Sequence, residues 1–143
     1  MRIAVSSNSG GLTDNVCPTF GRCQTFTIVE VDKDKKEILN SEVVQNPGGM
    51  SGGGAGIAAA QEIVKREVDA VITGNCGPNA IMVLQQAKID VYLIPGTVEN
   101  AVKQFLEGGE QPLGAPNVPG HFGMGSRGGQ GNLFRGRFRG GRP

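Results

Sequence analysis

The charged residues of this chain are divided at residue 110, and the division limits which part can fold. All thirteen acidic residues lie between Asp14 and Glu110, and nine of the fourteen basic residues lie within residues 1–110, which therefore carry a net charge of −4. Residues 108–143 hold twelve of the 24 glycines, and the charged side chains after Glu110 are five arginines: Arg127, Arg135, Arg137, Arg139 and Arg142. A glycine-rich segment with charge of one sign buries too little apolar surface to fold. The sequence therefore predicts a folded domain over residues 1–107 and a flexible, disordered tail over residues 108–143.

The folded segment is long enough for one modest hydrophobic core. The first residues do not resemble a secretion signal, and no apolar run approaches the roughly 20 residues that span a bilayer. We therefore expect a cytoplasmic protein that does not contact membranes. The three cysteines are an odd number, which argues against a disulfide framework.

The hydrophobic pattern predicts an α/β domain. Strands are expected over residues 2–6, 24–31, 37–45, 70–73 and 91–94, and helices over 55–67, 79–87 and 98–107. The charged turn at 32–36 joins two strands into an antiparallel hairpin, and the later strands alternate with helices, so the sheet is mixed and flanked by helices. Right-handed crossovers then place the loops after residues 6, 73 and 94 at one edge of the sheet, where we expect a ligand crevice.

The cysteines lie in or beside these loops. Cys17 and Cys23, six residues apart, are candidate thiolate ligands for a soft metal, although small buried side chains are an equally ordinary role for cysteine. Cys76 follows a buried strand and precedes a helix, whose N-terminal end would lower the pKa of its thiol and favour an anion. Three thiols make an incomplete four-cysteine iron–sulfur site. A dimer that shares ligands, or a different ligand such as Asp14, would complete it.

A glycine-rich segment at residues 48–56 invites comparison with phosphate-binding loops. It lacks the Gly-Lys-Ser/Thr of a P-loop, and no acidic residue follows the next strand to hold a ribose. We interpret it either as a plain mobile loop or as a flap whose backbone N–H groups, together with the Arg22 side chain, bind an anion; its central residues are Gly52, Gly53 and Gly54.

Residues for catalysis are scarce. The only histidine, His121, lies in the tail, so no Ser–His–Asp or Cys–His pair is available within residues 1–107. We predict a binding protein that is not an enzyme.

The tail combines arginine and glycine with interspersed phenylalanine, as in the RGG segments that bind RNA by phosphate pairing and stacking. Its five arginines predict binding of a polyanion, and a solubilising tail is the plain alternative. An RNA-binding accessory protein is therefore the alternative function, although nucleic acid is the less favoured partner because the domain is acidic. Self-association through pairing of tail arginines with the acidic domain is a third possibility.

Several short segments, taken in order, resemble one known family. They are Met1-Arg2-Ile3-Ala4-Val5, Phe20-Gly21-Arg22 before a strand, Asn46-Pro47 followed by Gly-Ala-Gly, Val68-Asp69-Ala70-Val71-Ile72-Thr73-Gly74, Gly77-Pro78-Asn79-Ala80 and Gly96-Thr97-Val98. Their order and spacing over residues 1–107 resemble the dinitrogenase iron–molybdenum cofactor biosynthesis family, which includes NifX, NafY and NifB C-terminal-like domains.

This resemblance implies a ribonuclease-H-like fold without nuclease chemistry. It also implies binding, carriage or storage of an iron–sulfur cluster, iron–sulfide or an iron–molybdenum cofactor precursor, for which Cys17, Cys23 and Cys76 are the candidate metal ligands. The tail is similar to the cationic tail of an archaeal iron–sulfur storage protein of the family (IssA-like), which implies that the five arginines bind anionic iron–sulfide.

Overall fold

The computed structural model describes residues 1–50 and 55–113. The strands in this part are β1 (Arg2–Ser7), β2 (Thr25–Asp32), β3 (Glu37–Gln45), β4 (Ala70–Thr73) and β5 (Asp90–Leu93). The α-helices are α1 (Ala55–Lys65), α2 (Pro78–Gln86) and α3 (Val98–Glu107), and a short 3₁₀ helix covers Pro47–Met50. Eight predicted anion-binding residues lie outside the described part: Gly52, Gly53, Gly54, Arg127, Arg135, Arg137, Arg139 and Arg142.

The five strands form one mixed sheet in the order β3-β2-β1-β4-β5. Strand β2 pairs antiparallel with β1 and with β3, whereas β1–β4 and β4–β5 are parallel. This arrangement confirms the predicted α/β sheet, with an antiparallel hairpin beside parallel strands. Because β1, β4 and β5 run in the same direction, the loops that follow them lie at one edge of the sheet.

Helices cover both faces of the sheet and create two cores. Helices α1 and α2 pack on one face and α3 on the other. Burial of each large apolar side chain contributes about 1.5–3 kcal/mol relative to exposure. The first core includes Ala4, Phe26, Ile28, Ile63, Val71, Leu84 and Val91, and the second includes Ile3, Val5, Val29, Ile72, Ile94, Val98 and Val102.

The observed bounds differ from the predicted ones at several ends. Helix α1 ends at Lys65 rather than residue 67, because Glu67 adopts a positive φ of 58° that a helix does not allow. Helix α3 begins as predicted: the Thr97 hydroxyl accepts a hydrogen bond from the Asn100 N–H at 3.2 Å and caps it. None of the helices in the described part has the length and apolar character that crossing a membrane requires.

Candidate functional site

Two loops are joined by backbone hydrogen bonds at the carboxyl-terminal edge of β1 and β4. Residues 17–23 precede β2, and residues 74–77 follow β4. The Phe20 N–H donates to the Asn75 carbonyl oxygen at 3.2 Å, and the Gly74 N–H donates to the Cys17 carbonyl oxygen at 3.3 Å. The Asn75 side-chain amide donates to the Pro18 carbonyl oxygen at 2.8 Å. The loops after β1 and β4 therefore form one surface, as the parallel arrangement predicts.

Glycines allow this surface to pack backbone against backbone. A Cβ atom on Gly74 would lie 2.6 Å from the Cα atom of Pro18, and one on Gly21 would lie 2.9 Å from the Gly56 backbone nitrogen. Neither neighbour is a flexible side chain that could yield. Gly21, from the Phe-Gly-Arg motif, thus brings the 17–23 loop against the first turn of α1.

The buried side chain of Asn46 holds the 17–23 loop in place. Its Nδ2 atom donates to the carbonyl oxygens of Cys23 at 2.7 Å and Gly21 at 3.1 Å, while its Oδ1 atom accepts from the Gly48 N–H at 2.9 Å. In the sequence, Asn46-Pro47 is one of the segments that carry the family resemblance. The sequence signal for its role is an Asn that opens a glycine-rich loop, where Asx-type hydrogen bonds are common.

A second set of buried polar groups, which we did not predict, supports the same loop. The Ser6 hydroxyl donates to the Cys17 carbonyl oxygen at 2.8 Å and lies 2.8 Å from the Thr73 hydroxyl. Both side chains are fully buried at the ends of β1 and β4. They fix the position of Cys17 relative to the two central parallel strands.

The thiols of Cys17 and Cys23 shift each other's pKa values in opposite directions. The Cys23 hydrogen bond lowers the pKa of Cys17 to about 6, and the hydrogen bonds at Thr19 add to this effect against the opposing effect of burial. The same pairing, together with burial, raises the pKa of Cys23 well above its usual range. The Cys23 S–H also has the Phe20 carbonyl oxygen as an acceptor, at 3.2 Å. The two shifts therefore favour the thiolate at Cys17 and the thiol at Cys23.

Cys76 differs from the pair. Burial raises the pKa of its thiol to about 12, so it is neutral at physiological pH. The expectation that the N-terminal end of α2 lowers this pKa is wrong, because removal from water outweighs the helix dipole at this position. Cys76 lies in the same buried apolar cluster as Cys17 and Cys23, and all three are free cysteines.

Asp14, considered above as a further ligand, holds another loop together. Its Oδ2 atom accepts hydrogen bonds from the N–H groups of Asn8 at 2.7 Å and Gly10 at 2.9 Å. Its slight burial alone would raise the pKa of this carboxyl, but these hydrogen bonds outweigh that effect and keep it below its usual range. The carboxylate is thus committed to organising residues 8–14.

The described residues contain no group of three or more His, Cys, Asp or Glu side chains that could hold a metal ion. The structure brings Cys17 and Cys23 together but does not gather all three thiols into one such group. Arg22 is half-buried within the 17–23 loop. A ligand role for the cysteines and for Arg22 stays a prediction.

Comparisons with known proteins agree with this fold. A family model described as dinitrogenase iron–molybdenum cofactor matches residues 1–108. An uncharacterized protein of Methanocaldococcus jannaschii is 38% identical over 109 residues, which cover 76% of this chain and 87% of that protein.

Solved structures are similar over most of the described part. The apo form of the orange protein from Desulfovibrio gigas is 38% identical with a TM-score of 0.72, covering 81% of this chain and 95% of that one. A putative NifB protein from Thermotoga is 31% identical with a TM-score of 0.63, and the match covers 78% of this chain and 92% of that one. A putative dinitrogenase from Methanocaldococcus jannaschii is 25% identical with a TM-score of 0.63, and the match covers 81% of this chain and 97% of that one.

Proposed function

Because the chain belongs to the dinitrogenase iron–molybdenum cofactor family, we propose that it binds and carries a metal–sulfur cluster. The cargo is an iron–sulfur or iron–molybdenum species, or anionic iron–sulfide, and the protein acts on it by binding rather than catalysis. The binding surface is the one built from residues 17–23 and 74–77 at the carboxyl edge of the sheet. In open α/β sheets this edge is where ligands generally bind.

The observation that carries the proposal is the Cys17–Cys23 pair. A thiolate is the form of cysteine that ligates metals, and the hydrogen bond from Cys23 supplies one at Cys17 near neutral pH. Soft thiolate ligands suit iron–sulfur species. The described residues do not offer a full set of cysteine ligands, so the cargo would form few bonds to the protein. A carrier has to release its cargo, and few bonds make release easier.

Access to Cys17 requires the 17–23 loop to move. Cys17 is only 6% exposed and Cys23 is 1% exposed. The Asn46 side chain, which bonds to the Gly21 and Cys23 carbonyl groups, is one side-chain restraint on that movement, and the Ser6 hydroxyl on the Cys17 carbonyl group is another. We therefore expect cargo binding to disturb the Asn46 hydrogen bonds, and an Asn46→Ala variant to load cargo faster but fold less stably.

The tail arginines are proposed to hold anionic iron–sulfide by charge. Arginine neutralises an anion without coordinating iron, and five such contacts on one chain add by multivalency. This part of the proposal rests on the composition of residues 114–143 and on the acid-free charge pattern.

The test is anaerobic reconstitution of the full chain with ferrous iron and sulfide, followed by desalting and measurement of iron and sulfide per chain. Replacement of both Cys17 and Cys23 by Ser should lower retained iron, whereas the matched Cys76→Ser control should not. Wild-type retention by the double variant would remove the thiol pair from the function, and loss of iron in the Cys76 control would make Cys76 a ligand.

The tail is tested by replacing its five arginines with Gln, and by a matched Lys variant that keeps the charge. We expect the Gln variant to lose sulfide-rich iron and the Lys variant to keep most of it. Equal loading of both would exclude charge neutralisation by the tail. Binding of single-stranded RNA by the same proteins, with a salt dependence that follows the number of arginines, would favour the RNA-binding alternative.

A further inference from the structure

The two edges of the sheet are covered differently. On the β5 edge, the Leu113 N–H donates to the Val91 carbonyl oxygen, so the segment after α3 lies along that strand. On the other edge, β3 pairs with β2 on its inner side, and no strand of the described residues pairs with its outer side. An uncovered strand of nine residues presents unpaired backbone N–H and C=O groups to another chain.

The β3 edge also carries exposed apolar side chains. Leu39 is 62% exposed and Val43 is 45% exposed, and they are two of the four large hydrophobic side chains exposed in the described residues. Because side chains alternate along a strand, residues four apart lie on the same face of the sheet. Leu39 and Val43 thus form a short apolar row along an open edge.

We infer that β3 pairs antiparallel with β3 of a second copy of this chain, with Ser41 on the two-fold axis. Counting outward from Ser41 places Leu39 of each copy opposite Val43 of the other, and Asn40 opposite Glu42. One dimer therefore contains two Leu39–Val43 pairs, which are related by the two-fold axis. The five-residue sequence from Leu39 to Val43 is complementary to itself in this register.

Charge selects the same register. A two-fold axis perpendicular to the sheet places residues of the same face opposite each other. The nearest alternative registers therefore have Asn40 or Glu42, instead of Ser41, on the two-fold axis. Centring on Glu42 places the two Glu42 carboxylates directly opposite each other, which is unfavourable. Centring on Asn40 places Leu39 opposite Ser41 and leaves the apolar row unmatched. Only the Ser41 register avoids directly opposed carboxylates and matches Leu39 with Val43.

The pairing is expected to be weak and dependent on concentration, because a single strand edge buries less area than the roughly 1,200 Å² of stable interfaces. The β2–β3 register passes from Asn40 to Ile38 and skips Leu39, so a bulge falls at Leu39 and the regular edge ends there. Residues 1–110 of both copies are acidic, so added salt should leave this dimer intact or strengthen it. Pairing of tail arginines with the acidic domain would instead weaken with salt.

Disulfide cross-linking of the full chain tests the register. Directly opposite residues have Cα atoms about 4.5–5.5 Å apart, within the range that a disulfide bridges, so Ser41→Cys should give a covalent dimer in a glutathione redox buffer. The control is Gln45→Cys, which is exposed on β3 where Ser41 is half-buried, and whose two copies would lie about 27 Å apart in this register. The three native cysteines are buried, so the wild-type chain should stay monomeric on non-reducing gels. Equal cross-linking of the two variants, or none of Ser41→Cys, would overturn the proposal.

Sedimentation equilibrium of the full chain tests the surface without a cross-link. The weight-average mass should rise with protein concentration, and this rise should persist at high salt. Replacement of both Leu39 and Val43 by Lys should abolish the rise, whereas Met82→Lys, which removes a 52% exposed side chain on α2, should leave it unchanged. A mass that does not change with concentration in the wild type, or that falls equally in both variants, contradicts pairing through β3.

Discussion

Removal of the Cys23 thiol should raise the pKa of Cys17. The hydrogen bond from Cys23 is the largest of the effects that lower this pKa from its ordinary value of 9.0 to about 6. In a Cys23→Ala variant the remaining hydrogen bonds at Thr19 still favour the thiolate, while burial still opposes it. We therefore expect the pKa of Cys17 to rise from about 6 toward its ordinary value of 9.0, so that the fraction of thiol at neutral pH increases.

The same pair predicts how stability depends on pH. A group whose pKa is depressed by folding contributes stability that is complete above its unfolded pKa and disappears as pH falls through its folded pKa. For Cys17 this window runs from 9.0 down to about 6. Three pH units correspond to at most about 4 kcal/mol. Cys23 and Cys76 have raised pKa values in the folded state, so stability should fall again as pH rises above 9.0.

The assay is NMR of cysteine ¹³Cβ shifts against pH in the full chain, with urea unfolding at each pH. Wild-type Cys17 should titrate near pH 6 and the free energy of unfolding should rise between pH 6 and 9, whereas Cys23→Ala should flatten that rise. Cys76→Ala is the control. The pKa of Cys76 is raised by burial and not by another cysteine, so removal of this thiol should leave the Cys17 titration unchanged. A Cys17 titration that is the same in the wild type and in Cys23→Ala would refute the thiol-pair interpretation.

Two further predictions concern stability and use urea midpoints at constant m-value. Gly74→Ala should destabilise the fold by about 1–3 kcal/mol, because its Cβ would lie 2.6 Å from the Pro18 backbone. The matched Gly56→Ala variant places a Cβ 3.5 Å from the Ala80 Cβ atom, which is an ordinary contact. It should be neutral or stabilise α1 by up to about 1 kcal/mol. Equal losses of stability in the two glycine variants would show that contact distance does not decide the cost. Thr97→Ala should cost about 1 kcal/mol through loss of the α3 cap, and an unchanged midpoint would contradict that role.

The elements that the sequence predicted well are those with strong local signals. Strand β3 occurs over the predicted residues because the charged turn and the Asn46-Pro47 step bound it, and β4 is a short apolar run that is buried on both faces. The ends of α1 and α2 were predicted less well. Glu67 and Lys88 adopt positive φ values of 58° and 62° just after these helices, and such side chains give no sequence signal for that conformation.

The position of the two loops was predicted from the sequence, but the protonation of their thiols was not. Parallel strands necessarily bring the ends of β1 and β4 to one edge, so the position of the loops follows from the order of elements. The protonation of the thiols depends instead on contacts that sequence spacing does not encode. Cys17 and Cys23 lie in one loop that hydrogen bonds from Ser6 and Asn46 hold in place, and Cys76 is neutral because it is buried. The thiol with the lowered pKa therefore lies in the irregular loop rather than at the helix end that dipole reasoning favoured, and that pKa depends most on one neighbouring thiol.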